Sequence, residues 1–156
     1  MNRAYYYDTK IGRISIVENG DAITHLYFNE IEEKDVMIEE TPLLKEAYKQ
    51  LSEYLDGTRK EFDIPLKPHG TEFQLKVWNA LREIPYGVTC SYKDIAIKID
   101  NEKACRAVGL ANNRNPISVF IPCHRVIGSN GKLVGYGGGL DIKEKLLNLE
   151  TEVNHL

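Results

Sequence analysis

Residues 91–113, SYKDIAIKIDNEKACRAVGLANN, decide how the fold is read. Ser91 and Asp94 have the spacing of a capped helix start, which predicts a short helix from Tyr92 to Ile99. Asp100-Asn101 is the turn, and a second helix is expected from Glu102 to Asn113. Two short helices joined by a tight polar turn fit a helix-turn-helix unit, although many helical hairpins bind no DNA. Upstream, Thr71 and Gln74 make a capping box for a helix with the apolar stripe Phe73, Val77, Ala80, Leu81 and Ile84, ended by Pro85. Downstream, Ile117 to Ile121 reads as a buried strand that runs into Pro122-Cys123-His124-Arg125-Val126. Six of the twelve glycines follow between Gly128 and Gly139. Asp141 and Glu144 open a last helix, carried by Leu146, Leu147 and Leu149.

The first third has a different texture. Tyr5 to Tyr7, Ile14 to Val17 and Ile23 to Phe28 are β-branched or aromatic runs, separated by Asp8-Thr9-Lys10 and by Asn19-Gly20. They predict a small antiparallel sheet. Residues 29–40 are acidic and read as a surface loop. Thr41-Pro42 then looks like a cap followed by proline at the first helical position, with Leu43, Ala47, Leu51 and Leu55 at helical spacing and Gly57 at the stop. Residues 58–70, with Pro65, Pro68 and Gly70, read as a connection. The expected fold class is α/β: a sheet-and-helix lobe over 1–70 and a mostly helical lobe over 71–156.

At 156 residues, 42% hydrophobic and 28% charged, the chain has an ordinary globular composition, which excludes pervasive disorder, collagen and a disulfide scaffold. No apolar run approaches the roughly 18 residues a membrane span needs. Met1-Asn2-Arg3-Ala4-Tyr5 lacks the apolar stretch of a signal peptide. Three dispersed cysteines, Cys90, Cys105 and Cys123, form no CxxC pair. That points to a reducing, cytoplasmic setting and away from structural zinc. The net charge is −3 but unevenly placed: residues 1–64 hold 8 Lys/Arg against 14 Asp/Glu, and residues 98–146 hold 8 against 4. The basic half suits a polyanion, but on charge alone a solvated charged face is the more ordinary reading.

Cys123-His124 is the pair with chemical promise. A free thiol is mostly protonated at neutral pH, and an adjacent imidazole can take its proton if a third group orients it. Neighbours on a strand point to opposite faces, so contact between the two requires a bend. By themselves an inert buried cysteine and a structural histidine are the commoner fates of such residues. The glycines beside them suit a pocket wall, because glycine lets backbone approach a ligand closely, or a plain hairpin loop.

The segment IPCHRV, preceded by RAVGLANNRNP and followed by GYGGGL and KEKLLNLE, resembles the O6-alkylguanine-DNA alkyltransferases. FQLKVWNALREIPYGVTCSY upstream is similar to the same family, so the resemblance runs nearly unbroken from Phe73 to Glu150, about half the chain. The resemblance implies a ribonuclease H-like N-terminal lobe. It implies a DNA repair protein that flips O6-alkylguanine, with O4-alkylthymine as a second candidate substrate, out of the duplex and moves the alkyl group irreversibly to its own cysteine. Cys123 would be the acceptor, His124 its base through a bridging water, and Glu150 the group that holds the imidazole and favours its charged form. Tyr92 would hydrogen-bond guanine N3 and assist the leaving base.

Arg106 would enter the DNA stack, with Ala107 and Gly109 beside it on the DNA-binding helix, and Asn115 would join that helix to the active site. Val126, Tyr136, Gly137 and Gly138 would line the base pocket. Double-stranded DNA is the implied partner, with no obligate protein partner, a monomeric chain and no cofactor. Relatives with a zinc site carry N-terminal cysteines, and residues 1–80 have none, so no metal is expected. Gly137 stands where relatives often have serine or alanine. Related lesion sensors have tryptophan at the acceptor position, so Cys123 favours transfer over sensing; a thiol hydrolase using Cys123 and His124 would instead turn over many times on an ester.

Overall fold

Asn19-Gly20 builds the turn between the second and third strands. The Asn19 side-chain oxygen accepts from the N–H groups of Asp21 and Ala22 at 2.9 Å each, and Gly20 takes φ +101°. That turn joins β2 (Gly12–Glu18) to β3 (Ile23–Tyr27), while β1 (Asn2–Thr9) pairs antiparallel with β2 on the other side. In the computed structural model, which describes residues 1–154, the chain divides into two compact units, Met1–His69 and the remainder from Gly70. The first unit carries one correction. Its sheet is mixed rather than antiparallel, in the order β3-β2-β1-β4, because β4 (Val36–Ile38) adds to β1 in parallel. This triplet lies inside the acidic stretch read as a loop; three half-exposed residues are too few to show a strand period.

Helix α1 (Pro42–Leu55) covers this sheet with Leu44, Ala47, Leu51 and Tyr54 buried. Thr41 caps it as expected, accepting from the Leu44 N–H at 3.2 Å while donating to Glu18 at 3.1 Å. Beyond the Asp56 cap, Gly57 takes φ +82°, where a side chain would be strained.

The second unit opens with α2 (Glu72–Arg82), whose Thr71–Gln74 capping box is complete. Gly70 before it has no room for a side chain, since a Cβ would lie 2.6 Å from the Trp78 indole. Trp78 in turn donates from Nε1 to the Ala111 carbonyl at 2.9 Å, tying α2 to the helix-turn-helix. That unit is α3 (Tyr92–Lys98), with its own Ser91–Asp94 capping box, and α4 (Cys105–Asn113). α4 begins three residues later than expected. Asp100 sits at φ +58°, Ala104 donates back to the Asn101 carbonyl, and no side chain caps the helix, so residues 102–104 stay in the turn. The last helix, α5, spans Leu140–Asn154.

Ile117–Ile121 is buried, but it is not a strand. Val119 takes φ +74° and the Ile121 N–H closes a turn on the Ile117 carbonyl at 2.9 Å. Asn115 templates this turn from both ends. Its side chain accepts from the Ile117 N–H at 3.0 Å and donates to the Ile121 carbonyl at 2.8 Å. The β-branched run mimics a strand because burial, not extension, selects those residues.

Candidate active site

Cys123–Arg125 form a single 3-10 turn, followed by the short β6 (Val126–Ile127), which pairs in parallel with β5 (Cys90–Ser91). The turn supplies the bend that adjacent strand residues lack. Cys123 is 3% exposed, His124 0% and Glu150 1%, so the three are desolvated groups.

Helix α5 brings the carboxylate in. Lys143, Leu146 and Glu150 recur at helical spacing on its buried face, which places charges at two positions where an apolar stripe is usual. Glu150 Oε2 lies 2.7 Å from His124 Nε2. Arg125 grips the same carboxylate with two donors, Nε to Oε1 at 2.8 Å and Nη2 to Oε2 at 3.0 Å, and its Nη1 donates to the Ile84 carbonyl at 2.7 Å. The Gly87 N–H adds a donor to Oε1 at 3.1 Å. Burial pushes the Glu150 carboxyl up, but the hydrogen bonds from His124 and Arg125 outweigh it and hold the group at about 2. An ionised carboxylate only accepts, so His124 Nε2 is the protonated nitrogen and Nδ1 carries the lone pair.

Burial also pushes the His124 imidazole down, against the pull of Glu150, while Arg125 and Lys143 add to the depression. The carboxylate favours the charged imidazole, yet desolvation wins and His124 rests neutral. Cys123 is likewise pushed up by burial, opposed by hydrogen bonding from the Asn115 and Ser118 side chains and by the charge of Lys143. The resting site is a neutral thiol beside a neutral base whose charged form is already provided for. It is built for a proton to move when a reaction asks for it.

The chain matches the 6-O-methylguanine DNA methyltransferase family twice: the ribonuclease-like domain over residues 2–68 and the DNA binding domain over 72–152. The chain belongs to this family. A methylated-DNA–protein-cysteine methyltransferase of Methanosarcina acetivorans is 52% identical over 152 residues, covering 94% of this chain and 97% of that one. The constitutive methylated-DNA–protein-cysteine methyltransferase of Bacillus subtilis is 47% identical, with 96% of each chain covered. The Mycobacterium tuberculosis OGT solved in complex with DNA superposes with a TM-score of 0.91 at 43% identity, over 97% of this chain and 94% of that one. The α/β architecture is therefore that of the family, a ribonuclease-like unit followed by a helix-turn-helix unit.

Of the residues singled out in the sequence, Cys123, His124 and Glu150 gather in this buried site. Asn115 reaches it by bracketing the turn ahead of Cys123. Tyr92, the first residue of α3, donates its hydroxyl to the Val134 carbonyl at 3.0 Å, and Gly109 lies against its ring. Arg106 and Ala107 stand exposed on the first turn of α4. Val126 is buried, Tyr136 and Gly138 are half-buried, and Gly137 is exposed with open space where a Cβ would lie. A serine or alanine at 137 would thus meet nothing.

Two residues of this alkyltransferase-family site escaped the sequence reading. Arg125 sits inside the signature, where nothing local shows that it grips a carboxylate 25 residues away. Lys143 resembles an ordinary first-turn charge; its signal is the spacing to Leu146 and Glu150. Among the described residues no group of His, Cys, Asp and Glu side chains could hold a metal, and no helix is long and apolar enough to cross a membrane.

Proposed function

We propose that this chain is a single-turnover DNA repair protein that moves the alkyl group of O6-alkylguanine from duplex DNA onto Cys123. The observation that carries the reading is the buried turn that sets Cys123 beside His124, with Glu150 and Arg125 behind it. In the step, the Cys123 sulfur forms a bond to the alkyl carbon and the carbon–O6 bond breaks, its electron pair going to the base. The thiol proton passes through a bridging water to His124 Nδ1, and Glu150 steadies the imidazolium that results. Tyr92 turns its hydroxyl from the Val134 carbonyl to guanine N3 and helps the base leave neutral. The product is a thioether, and nothing in the site offers a route back to the thiol, so each molecule acts once.

O6 is out of reach in a stacked duplex, and flipping the nucleotide costs a few kcal/mol. Arg106, exposed at the head of α4, fills the vacated space and offsets part of that cost, while Ala107 and Gly109 let the helix lie close to DNA. Val126, Tyr136, Gly137 and Gly138 wall the pocket that receives the base. The chain works as a monomer on double-stranded DNA, without metal or cofactor. Its three free cysteines, one of them needed as a thiol, suit the cytoplasm.

The test is intact mass after mixing with duplex containing O6-methylguanine. The parental protein gains one methylene unit and stops at one. Cys123→Ala gains nothing while still binding DNA, because the nucleophile is lost and the helix-turn-helix is not. Transfer to Cys90 or Cys105 at a comparable rate, or continued turnover, refutes the reading.

A further inference from the structure

Lys143 is the buried charge for which the transfer step has no assigned task. Its side chain is fully buried and its ammonium donates to the carbonyls of Val126 at 2.7 Å, Val134 at 2.9 Å and Gly135 at 3.3 Å. An ammonium has three protons, and three carbonyls occupy them. These acceptors come from two segments: Val126 begins the strand that leaves the Cys123 turn, and Val134 and Gly135 belong to the glycine-rich stretch. One cation therefore ties the nucleophile's strand to a wall of the same site. Burial pushes the ammonium down and Cys123 pulls it back up, so the charge lies within electrostatic reach of the sulfur.

The Val134 carbonyl has a second donor, the Tyr92 hydroxyl at 3.0 Å. A carbonyl oxygen has two lone pairs, so both bonds coexist. They are not equivalent. Lys143 is held inside the unit, whereas Tyr92 is half-buried on the side of α3 and is the group assigned to meet the base. If Tyr92 were the sole donor, turning away would strand an acceptor in the pocket wall, and the wall would hold the hydroxyl back. The segment has another support: Gly135 takes φ +52°, and a Cβ there would come within 2.7 Å of the Asn113 amide at the end of α4.

We propose that Lys143 is a positioning residue of the transfer: it seats Val134 and Gly135 against the strand after Cys123 and keeps the Val134 carbonyl satisfied when Tyr92 leaves it for the base. This rests on the role given to Tyr92 above. Tyr92 can then exchange partners without the wall moving.

A double-mutant cycle on benzyl transfer from free O6-benzylguanine to Cys123 tests it, using the parental chain, Lys143→Met, Tyr92→Phe and the double variant. Lys143→Met should lower the limiting rate roughly tenfold in the parental background. In the Tyr92→Phe background the same change should cost at most about threefold, because no hydroxyl remains to be held back. Equal losses in both backgrounds overturn the proposal, since a merely structural lysine would give them. Should Lys143→Met not fold, NMR on Cys123→Ser, with Lys143 intact, decides. On adding O6-methylguanine the Tyr92 ring resonances should move while the Lys143 ammonium keeps its slow exchange with water. Release of the Lys143 ammonium on binding overturns it. Absence of any methyl on Cys123 after the parental chain meets duplex containing O6-methylguanine would instead refute the transfer reading itself.

Discussion

The two units bury polar groups for different purposes. In the first, Glu18 and Gln50 are inside, and their bonds go mostly to nearby backbone and caps: Glu18 to the Gly20 N–H and the Thr41 hydroxyl, Gln50 to the backbone of Asp63 and, one turn back, to the Glu46 carboxylate. These groups close turns and helix ends. In the second, His124, Arg125, Lys143 and Glu150 lie in the interior and answer mainly to one another and to the walls around Cys123. Replacing such a buried network with apolar side chains often stabilises a protein, so a fold has little reason of its own to keep it. The first unit spends its buried polarity on shape; the second gathers it around a thiol and the imidazole next to it.

That contrast can be broken in several places. The largest effect belongs to Arg106. Arg106→Ala should repair alkylated duplex far more slowly yet react with free O6-benzylguanine at nearly the parental rate, since a free base needs no flipping. An equal fall in both rates would mean Arg106 supports the fold or the nucleophile. No fall would remove it from the DNA interface.

Next comes Arg125, which holds Glu150 with two donors. Arg125→Met leaves a buried carboxylate with less compensation and should destabilise the protein by about 3–5 kcal/mol in denaturant melts. A change below about 1 kcal/mol, within the range of exposed pairs, would show that the network is not coupled as its geometry indicates. The smallest effect is in the first unit. Glu18→Ala should cost about 1–2 kcal/mol by stranding the Gly20 N–H and the Thr41 hydroxyl, and leave the alkyl-transfer rate unchanged. A slowed transfer in folded Glu18→Ala protein would erase the contrast between the units.

Local chemistry made much of the fold legible. Thr41, Thr71 and Ser91 cap the helices that their spacing predicts, because capping needs only a hydroxyl and a donor three residues on. What failed depends on distant partners. Val36–Ile38 becomes a strand only because β1 has a free edge, and Ile117–Ile121 becomes a turn because Asn115 bonds both its ends. The site divides in the same way. Cys123 and His124 are adjacent in sequence and legible as a pair, and Glu150 was reached only through resemblance to a family. Lys143 acts through three carbonyls, and backbone acceptors leave no trace in side-chain sequence.

The central claim is that Glu150 supports the imidazolium formed when Cys123 gives up its proton. Its folded carboxyl lies near 2 against an ordinary 4.5, so the stability it contributes is present above about 4.5 and lost as pH falls toward 2. Across neutral pH it is fully ionised, and any pH dependence of transfer there belongs to the thiol and its base. The rate of benzyl transfer to Cys123 by Glu150→Gln, followed from neutral to alkaline pH beside the parental chain, tests this directly. The account predicts a marked loss near neutral pH that partly recovers as pH rises and the thiol ionises unaided. A defect of the same size at every pH would contradict it.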